Sequence, residues 1–139
     1  MISAVDSSVI LDVLTNDPSF AEGSEQVLRK ASNEGRLVIC ECVLAEIYPA
    51  LGDSTRCDEL LTDWQLDFVP SSRESAELAG ANFFRHLARG GKQGRVVADF
   101  LIGAHAQLNA DRLISRDRGY VRDYFDELTV LDPAKLTES

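Results

Sequence analysis

The chain has 139 residues, 45% hydrophobic and 27% charged, which suits one globular domain over residues 1–139 and excludes a disordered chain. Its net charge of −9 argues against a simple nucleic-acid-binding surface, and its three cysteines, Cys40, Cys42 and Cys57, leave one unpaired in any scheme, so reduced thiols in the cytoplasm are expected. The first basic residue is Arg29 and no apolar run approaches the roughly 18 residues of a membrane helix, so neither a signal peptide nor a membrane span is expected.

In chain order, Ile2-Ser3-Ala4-Val5 reads as a strand ending at Asp6. Ser7 or Ser8 is then expected to cap a helix through Val9-Ile10-Leu11-Asp12-Val13-Leu14. Asp17-Pro18-Ser19 opens a second helix to about Glu34, with Pro18 suiting its first turn, and Gly35 ends it before the strand Arg36 to Cys40. Helices over about 42–51 and 54–66 precede a short strand at Asp67-Phe68-Val69-Pro70. Ser71-x-x-Glu74 spells a capping box for a helix to about Arg89, and residues 90–94 form a loop. Val96 to Leu108 is the most apolar helix; the strand Arg112 to Ser115, a polar turn around Asp117 and the strand Leu128 to Leu131 complete the chain. Strands alternating with helices predict an α/β fold, a central parallel sheet with helices on both faces. Ligands in such sheets bind beyond the carboxyl ends of the strands.

The charge is unevenly spread. From Arg85 to Arg122 eight basic residues face three acids, a net of +5, leaving −14 on the rest of the chain. A basic third on an acidic body can bind a polyanion locally, although charges scattered over solvated helix faces explain it equally well. Four carboxylates stand out against this background. Asp6 and Asp117 follow strands, where a parallel sheet places its active site; a helix N-cap and an Asp-Arg-Gly turn are their ordinary explanations. Glu46 is the only charge in Val43 to Tyr48, as an exposed helix face would allow. Asp99 is the only charge from Val96 to Ala104, in a helix apolar on nearly all sides, where an ionised carboxylate is costly unless it is paired or bound to metal; Arg95, one turn earlier, is the alternative partner. Converging carboxylates repel unless a hard cation lies between them, and Mg²⁺ or Mn²⁺ with oxygen ligands and several waters meets that need.

Four segments together resemble the PIN-domain family, and most closely the VapC-type toxins of toxin–antitoxin pairs. They are Val5-Asp6-Ser7-Ser8-Val9-Ile10-Leu11, Val43-Leu44-Ala45-Glu46, Ala98-Asp99-Phe100-Leu101-Ile102-Gly103-Ala104-His105-Ala106 and Leu113-Ile114-Ser115-Arg116-Asp117-Arg118-Gly119-Tyr120. The resemblance covers nearly the whole chain and implies an α/β/α sandwich. It also implies an endoribonuclease dependent on Mg²⁺ or Mn²⁺, with Asp6, Glu46, Asp99 and Asp117 as metal-binding and catalytic acids and Ser7 and Ser115 as hydroxyl residues close behind them. The implied chemistry is hydrolysis by a water that the metal activates, so RNA preference must come from binding. Arg95, Arg116 and Arg118 are candidate phosphate contacts, with surface solvation or an ion pair as the alternative. The expected partners are RNA, a cognate antitoxin and a second copy of the chain in a homodimer, with no membrane.

Other chemistries fit less well. A haloacid-dehalogenase-like phosphatase needs a second Asp two residues after the first, where Ser8 stands, and a receiver domain needs a lysine after a late strand, a role that the only lysines, Lys30, Lys92 and Lys135, do not fit. Two histidines without paired cysteines make a zinc site improbable, and His105, about 240° around the helix from Asp99, reads as a core residue. A non-catalytic RNA-binding or antitoxin-docking module of the same fold is the alternative from a different class, with the intact four acids against it.

Overall fold

The structure, a computed structural model, describes residues 1–91, 96–116 and 120–136. The β1 strand (Ile2–Val5) is followed by α1 (Ser7–Leu14) and α2 (Ala21–Glu34), and β2 (Arg36–Ile39) by α3 (Glu41–Leu51) and α4 (Ser54–Asp63). Then come β3 (Leu66–Phe68), α5 (Arg73–Ala88), α6 (Val96–Asn109), β4 (Arg112–Ile114), α7 (Tyr120–Tyr124), β5 (Thr129–Leu131) and α8 (Pro133–Leu136). The five strands form one sheet in the order β3-β2-β1-β4-β5, every pair parallel, as the alternation of strands and helices predicts. Parallel neighbours cannot be joined by tight turns, so each connection crosses over through helices that cover the sheet. The central strands are accordingly apolar and buried: Ala4, Val5, Leu37, Val38, Ile39, Leu113 and Ile114 form the middle of the core.

Strand order reverses at β1. The chain moves outward to β2 and β3, then returns to the other side of β1 to lay down β4 and β5. Such a reversal opens a crevice between β1 and β4 at their carboxyl ends. Helix α6 lies on the core through Phe100, Ile102, Ala104 and Ala106, and Gly103 lets it come close to Phe125, because a Cβ there would sit 2.7 Å from the ring.

Three helix starts differ from the sequence-based expectation, the second and third because a side chain captures a nearby backbone group, and the helix expected over 54–66 ends at Asp63, with Leu66 already in β3. Asp6, and neither Ser7 nor Ser8, holds the N-cap position of α1, and both serines lie inside the helix. Helix α2 begins at Ala21 because the Asp17 carboxylate accepts the N–H groups of Ser19 at 2.8 Å and Phe20 at 3.0 Å, forming a turn first. The capping box of α5 pairs Ser72 with Ser75, one residue later than Ser71-x-x-Glu74: Ser75 N–H donates to Ser72 Oγ at 3.1 Å and Ser72 N–H to Ser75 Oγ at 2.9 Å. Ser71 instead donates its N–H to the Glu41 carboxylate at 3.1 Å. The short helices α7 and α8 were not expected from the sequence.

Candidate active site

Asp6 ends β1. Its N–H donates to the carbonyl of Ile114 at 2.9 Å, which extends the β1–β4 pairing by one residue and brings Asp6 beside Ser115. The Asp6 side chain does not cap its helix. It accepts the Ser115 hydroxyl at 2.6 Å on Oδ2, with the Ser8 hydroxyl at 3.4 Å on the same oxygen and the Ser7 hydroxyl at 3.3 Å on Oδ1. Ser7 is shared, since its Oγ also lies 3.0 Å from Glu46 Oε1 on α3. Ser7 and Ser115 are buried, Asp6 is half-buried and Glu46 is exposed, so the hydroxyls line the floor and the carboxylates face outward.

Asp99 stands half-buried in the first turn of α6, where the helix dipole favours a negative charge. It lines one narrow cleft with Asp6, Ile102, Leu113, Ser115, Arg116 and Val121. Asp6, Glu46 and Asp99 are thus brought to one end of the sheet, at its switch point. Asp117, Arg95 and Arg118 lie outside the described residues. Among those that are described, Asp6 receives hydroxyl donors and pairs with no cation.

Arg116 follows Ser115, and its guanidinium is engaged. Nε lies 3.0 Å from Asp12 Oδ2, Nη2 donates to Asp12 Oδ1 at 3.0 Å, and the group sits 4.2 Å from the centre of the Phe20 ring. Ser24 Oγ donates to the second Asp12 oxygen at 3.0 Å. The geometry therefore matches the ion-pair alternative for Arg116. Asp12 was missed from the sequence, although the test applied to Asp99 would have found it: Asp12 is the only charge in Val9 to Leu14.

His105 is fully buried, as expected, with Nε2 2.6 Å from the Val69 carbonyl; burial holds its pKa below the usual imidazole value. All three cysteines are free thiols, Cys40 and Cys57 buried. Burial, and then the neighbouring Cys40, push the Cys42 thiol up to about 12, so it is protonated at neutral pH. Cys40, Glu41 and Cys42 are the one group of three donors among the described residues that closes within 4.8 Å, but Glu41 already accepts the Ser71 N–H. The acids of the cleft are spaced more widely. A larger hollow of about 530 Å³ lies at the amino ends of β2 and β3, walled by Val13, Leu28, Leu37 and Trp64, with Arg29 on its rim paired to Glu25. It is the roomier space, but it is at the wrong end of a parallel sheet for catalysis, and of its two acids, Glu25 and Asp63, the first is paired with Arg29.

Among curated proteins, none matches the chain. Solved structures do. A chain of VapBC2 from Rickettsia felis, bound to a DNA fragment from the promoter, aligns over 95% of this chain and 98% of its own with a TM-score of 0.73 and 18% identity. A chain of VapBC-1 from nontypeable Haemophilus influenzae aligns over 96% and 98% with a TM-score of 0.69 and 22% identity. A chain of the FitAcB structure from Neisseria gonorrhoeae aligns over 96% and 98% with a TM-score of 0.67 and 17% identity. These likenesses carry the fold. The PIN-domain family model matches residues 4–125, the stretch from β1 through α7 that builds the carboxylate cleft, and the chain therefore belongs to the PIN-domain family.

Proposed function

We propose that the chain is a Mg²⁺- or Mn²⁺-dependent endoribonuclease and the VapC-type toxin of a toxin–antitoxin pair. The observation that carries this is the Asp6 cradle: a carboxylate at the switch point, oriented by buried serine hydroxyls, without a cation among the described residues, and sharing a hydroxyl with Glu46 and a cleft with Asp99. Neutral hydroxyls orient a carboxylate and leave its charge available, which suits a hard cation.

The donor set fits such an ion. Asp6, Glu46 and Asp99, with Asp117 proposed as the fourth, offer hard oxygens only, and their wide spacing suits a metal that keeps several of its waters. Bound there, the ion supplies Lewis-acid stabilisation of charge on the phosphate and acidifies water. The protein's own part is orientation and proton handling. Ser115 and Ser7 fix the Asp6 carboxylate in one rotamer, Ser7 couples Glu46 to it, and the carboxylates that face the nucleophilic water accept its hydrogen bonds. Because water is the proposed nucleophile, the RNA 2′-hydroxyl serves recognition. Arg95 and Arg118 are proposed to contact phosphate. Arg116, held by Asp12, is proposed to contribute chiefly by placing Ser115.

The similarity to chains in VapBC and FitAcB structures supports an antitoxin as partner, and the acidic body outside the basic window suits a basic segment of it. A homodimer in the cytoplasm completes the proposal; among the described residues no helix is long and apolar enough to cross a membrane. The test is incubation of the purified, antitoxin-free chain with total RNA under Mg²⁺, Mn²⁺ or chelator. Metal-dependent cuts at a few discrete sites are expected. They should disappear in folded Asp6→Asn and Asp99→Asn variants, because each amide fills the space of its carboxylate. A folded, metal-binding chain that leaves all RNA intact would overturn the nuclease in favour of a binding module.

A further inference from the structure

The described members of the basic window do not form one surface. Arg112, at the amino end of β4, donates to Ser3 Oγ at 2.8 Å and Glu34 Oε1 at 2.9 Å, and Arg116 is taken by Asp12. Arg85 and Arg89 are different. They are exposed, one turn apart, Arg85 in the last turn of α5 and Arg89 at its C-cap, and their guanidinium carbons lie 5.4 and 5.2 Å from the centre of the same ring, that of Tyr124 on α7. Arg85 also donates to Asn82 Oδ1 at 2.9 Å. Asp123, Asp126 and Glu127 are exposed on the segment that carries Tyr124, yet no carboxylate among the described residues pairs with either guanidinium.

The ring under these arginines is firmly placed. Tyr124 meets Phe100 edge-on with centroids 5.1 Å apart and His86 at 5.8 Å, and its hydroxyl lies 3.4 Å from His86 Nδ1. Phe100 is fully buried and directly follows Asp99. On α7, Val121 walls the carboxylate cleft and Tyr124 stands three residues further on, a rise of about 4.5 Å along a helix. The ring that seats the arginine pair therefore stands about one helical turn along α7 from a residue of the cleft wall. Cation–π contact and, for Arg85, the Nη1 bond to Asn82 restrict the guanidiniums while leaving other N–H groups of each for an anion, so little further ordering is needed when they close on one. Planar forks of that kind recognise phosphate in bidentate fashion.

We infer that Arg85 and Arg89, seated on Tyr124, form a phosphate-binding shelf that holds the backbone of a single-stranded RNA as it leaves the carboxylate cleft. This rests on the nuclease proposal and adds to it where the strand runs. It favours RNA over an acidic protein segment because the ring that seats the shelf belongs to the same short helix as Val121, which walls the cleft in which a phosphodiester would react.

The test is fluorescence anisotropy with a labelled single-stranded RNA in chelator, where binding is read without cleavage. The full-length wild type is compared with Arg85→Gln/Arg89→Gln and with Arg85→Lys/Arg89→Lys, all checked for folding by circular dichroism. The glutamine pair is expected to weaken binding by about tenfold or more and to flatten the slope of log affinity against log salt by about 1.4, two phosphate contacts at roughly 0.7 each. The lysine pair should restore the slope and only part of the affinity, since it keeps charge but loses the fork. Unchanged affinity and slope in the folded glutamine pair would overturn the shelf, as would weaker binding at unchanged slope. Poly-glutamate bound by the wild type and lost in the glutamine pair, with RNA binding intact, would overturn it in favour of protein docking. The two proposals fail separately: RNA cut normally by the glutamine pair removes the shelf alone, while arginine-dependent RNA binding without cleavage by the wild type removes the nuclease alone.

Discussion

Asp6 and Asp12 stand six residues apart on one strand–helix unit and have opposite environments. Asp12 is 4% exposed and fully satisfied: Arg116 takes both oxygens, Ser24 adds a hydrogen bond, and Phe20 covers the guanidinium. Asp6, at the crevice, collects serine hydroxyls and no cation among the described residues. The six residues turn Asp12 about 240° around α1, away from the crevice and toward α2. A buried acid matched by a cation holds structure together. An acid held only by neutral donors keeps its charge for something else, and that difference, more than burial, separates the two roles.

The largest effect should come from removing the charge of Asp6. With Asn there, cleavage should fall at least 10²-fold, about 2.7 kcal/mol of barrier, while stability in chelator stays level or rises by roughly 0.5 kcal/mol as repulsion is relieved. Mn²⁺ at about 100 times its Kd should stabilise the wild type by about 2.7 kcal/mol and the variant hardly at all, as thermal melts will read. Asp12→Asn should reverse the pattern. It leaves Arg116, whose side chain is 31% exposed, without its counter-charge, and urea titration should show a loss of about 3 kcal/mol. Replacing Arg116 by Met in the same chain should recover part of that loss, and a folded Asp12→Asn chain that has lost Mn²⁺ binding outright would erase the distinction between the two acids.

His105 extends the comparison to a buried base. Burial disfavours its charged form, so the unfolded chain takes up the proton first, and stability is full above pH 6.5 and declines below it, by at most about 1.4 kcal/mol per pH unit. Urea midpoints between pH 7.5 and 5.5 should show that slope, and His105→Asn should flatten it. Glu34→Gln should produce the smallest change. The Arg112 hydrogen bond holds the Glu34 carboxyl below its usual value of 4.5, so its contribution is present above that pH and lost as pH falls through the lowered value. The pair is at the exposed surface, where water screens it, and the urea midpoint at pH 7 should scarcely move.

The parallel α/β order, the carboxyl-end placement of Asp6 and the odd position of Asp99 were all legible in the sequence, because the alternation of strands and helices and the isolation of a charge in an apolar run are local properties. Helix starts were misplaced by one to four residues where Asp17 or Ser75 captured a backbone N–H, a choice among neighbouring donors that composition does not rank. Asp12 carried the same signal as Asp99 and went unread because its partner lies 104 residues away. The basic window from Arg85 to Arg122 could be read as one surface or as scattered charges, and its described members separate to the two ends of β4 and to the Tyr124 ring. By itself the sequence determined which segments become strands and helices and which acids are out of place in them. Which acid gains a cation and which is left to hydroxyls was decided only in the tertiary structure, because charge pairing acts over a few ångströms in space and is indifferent to separation along the chain.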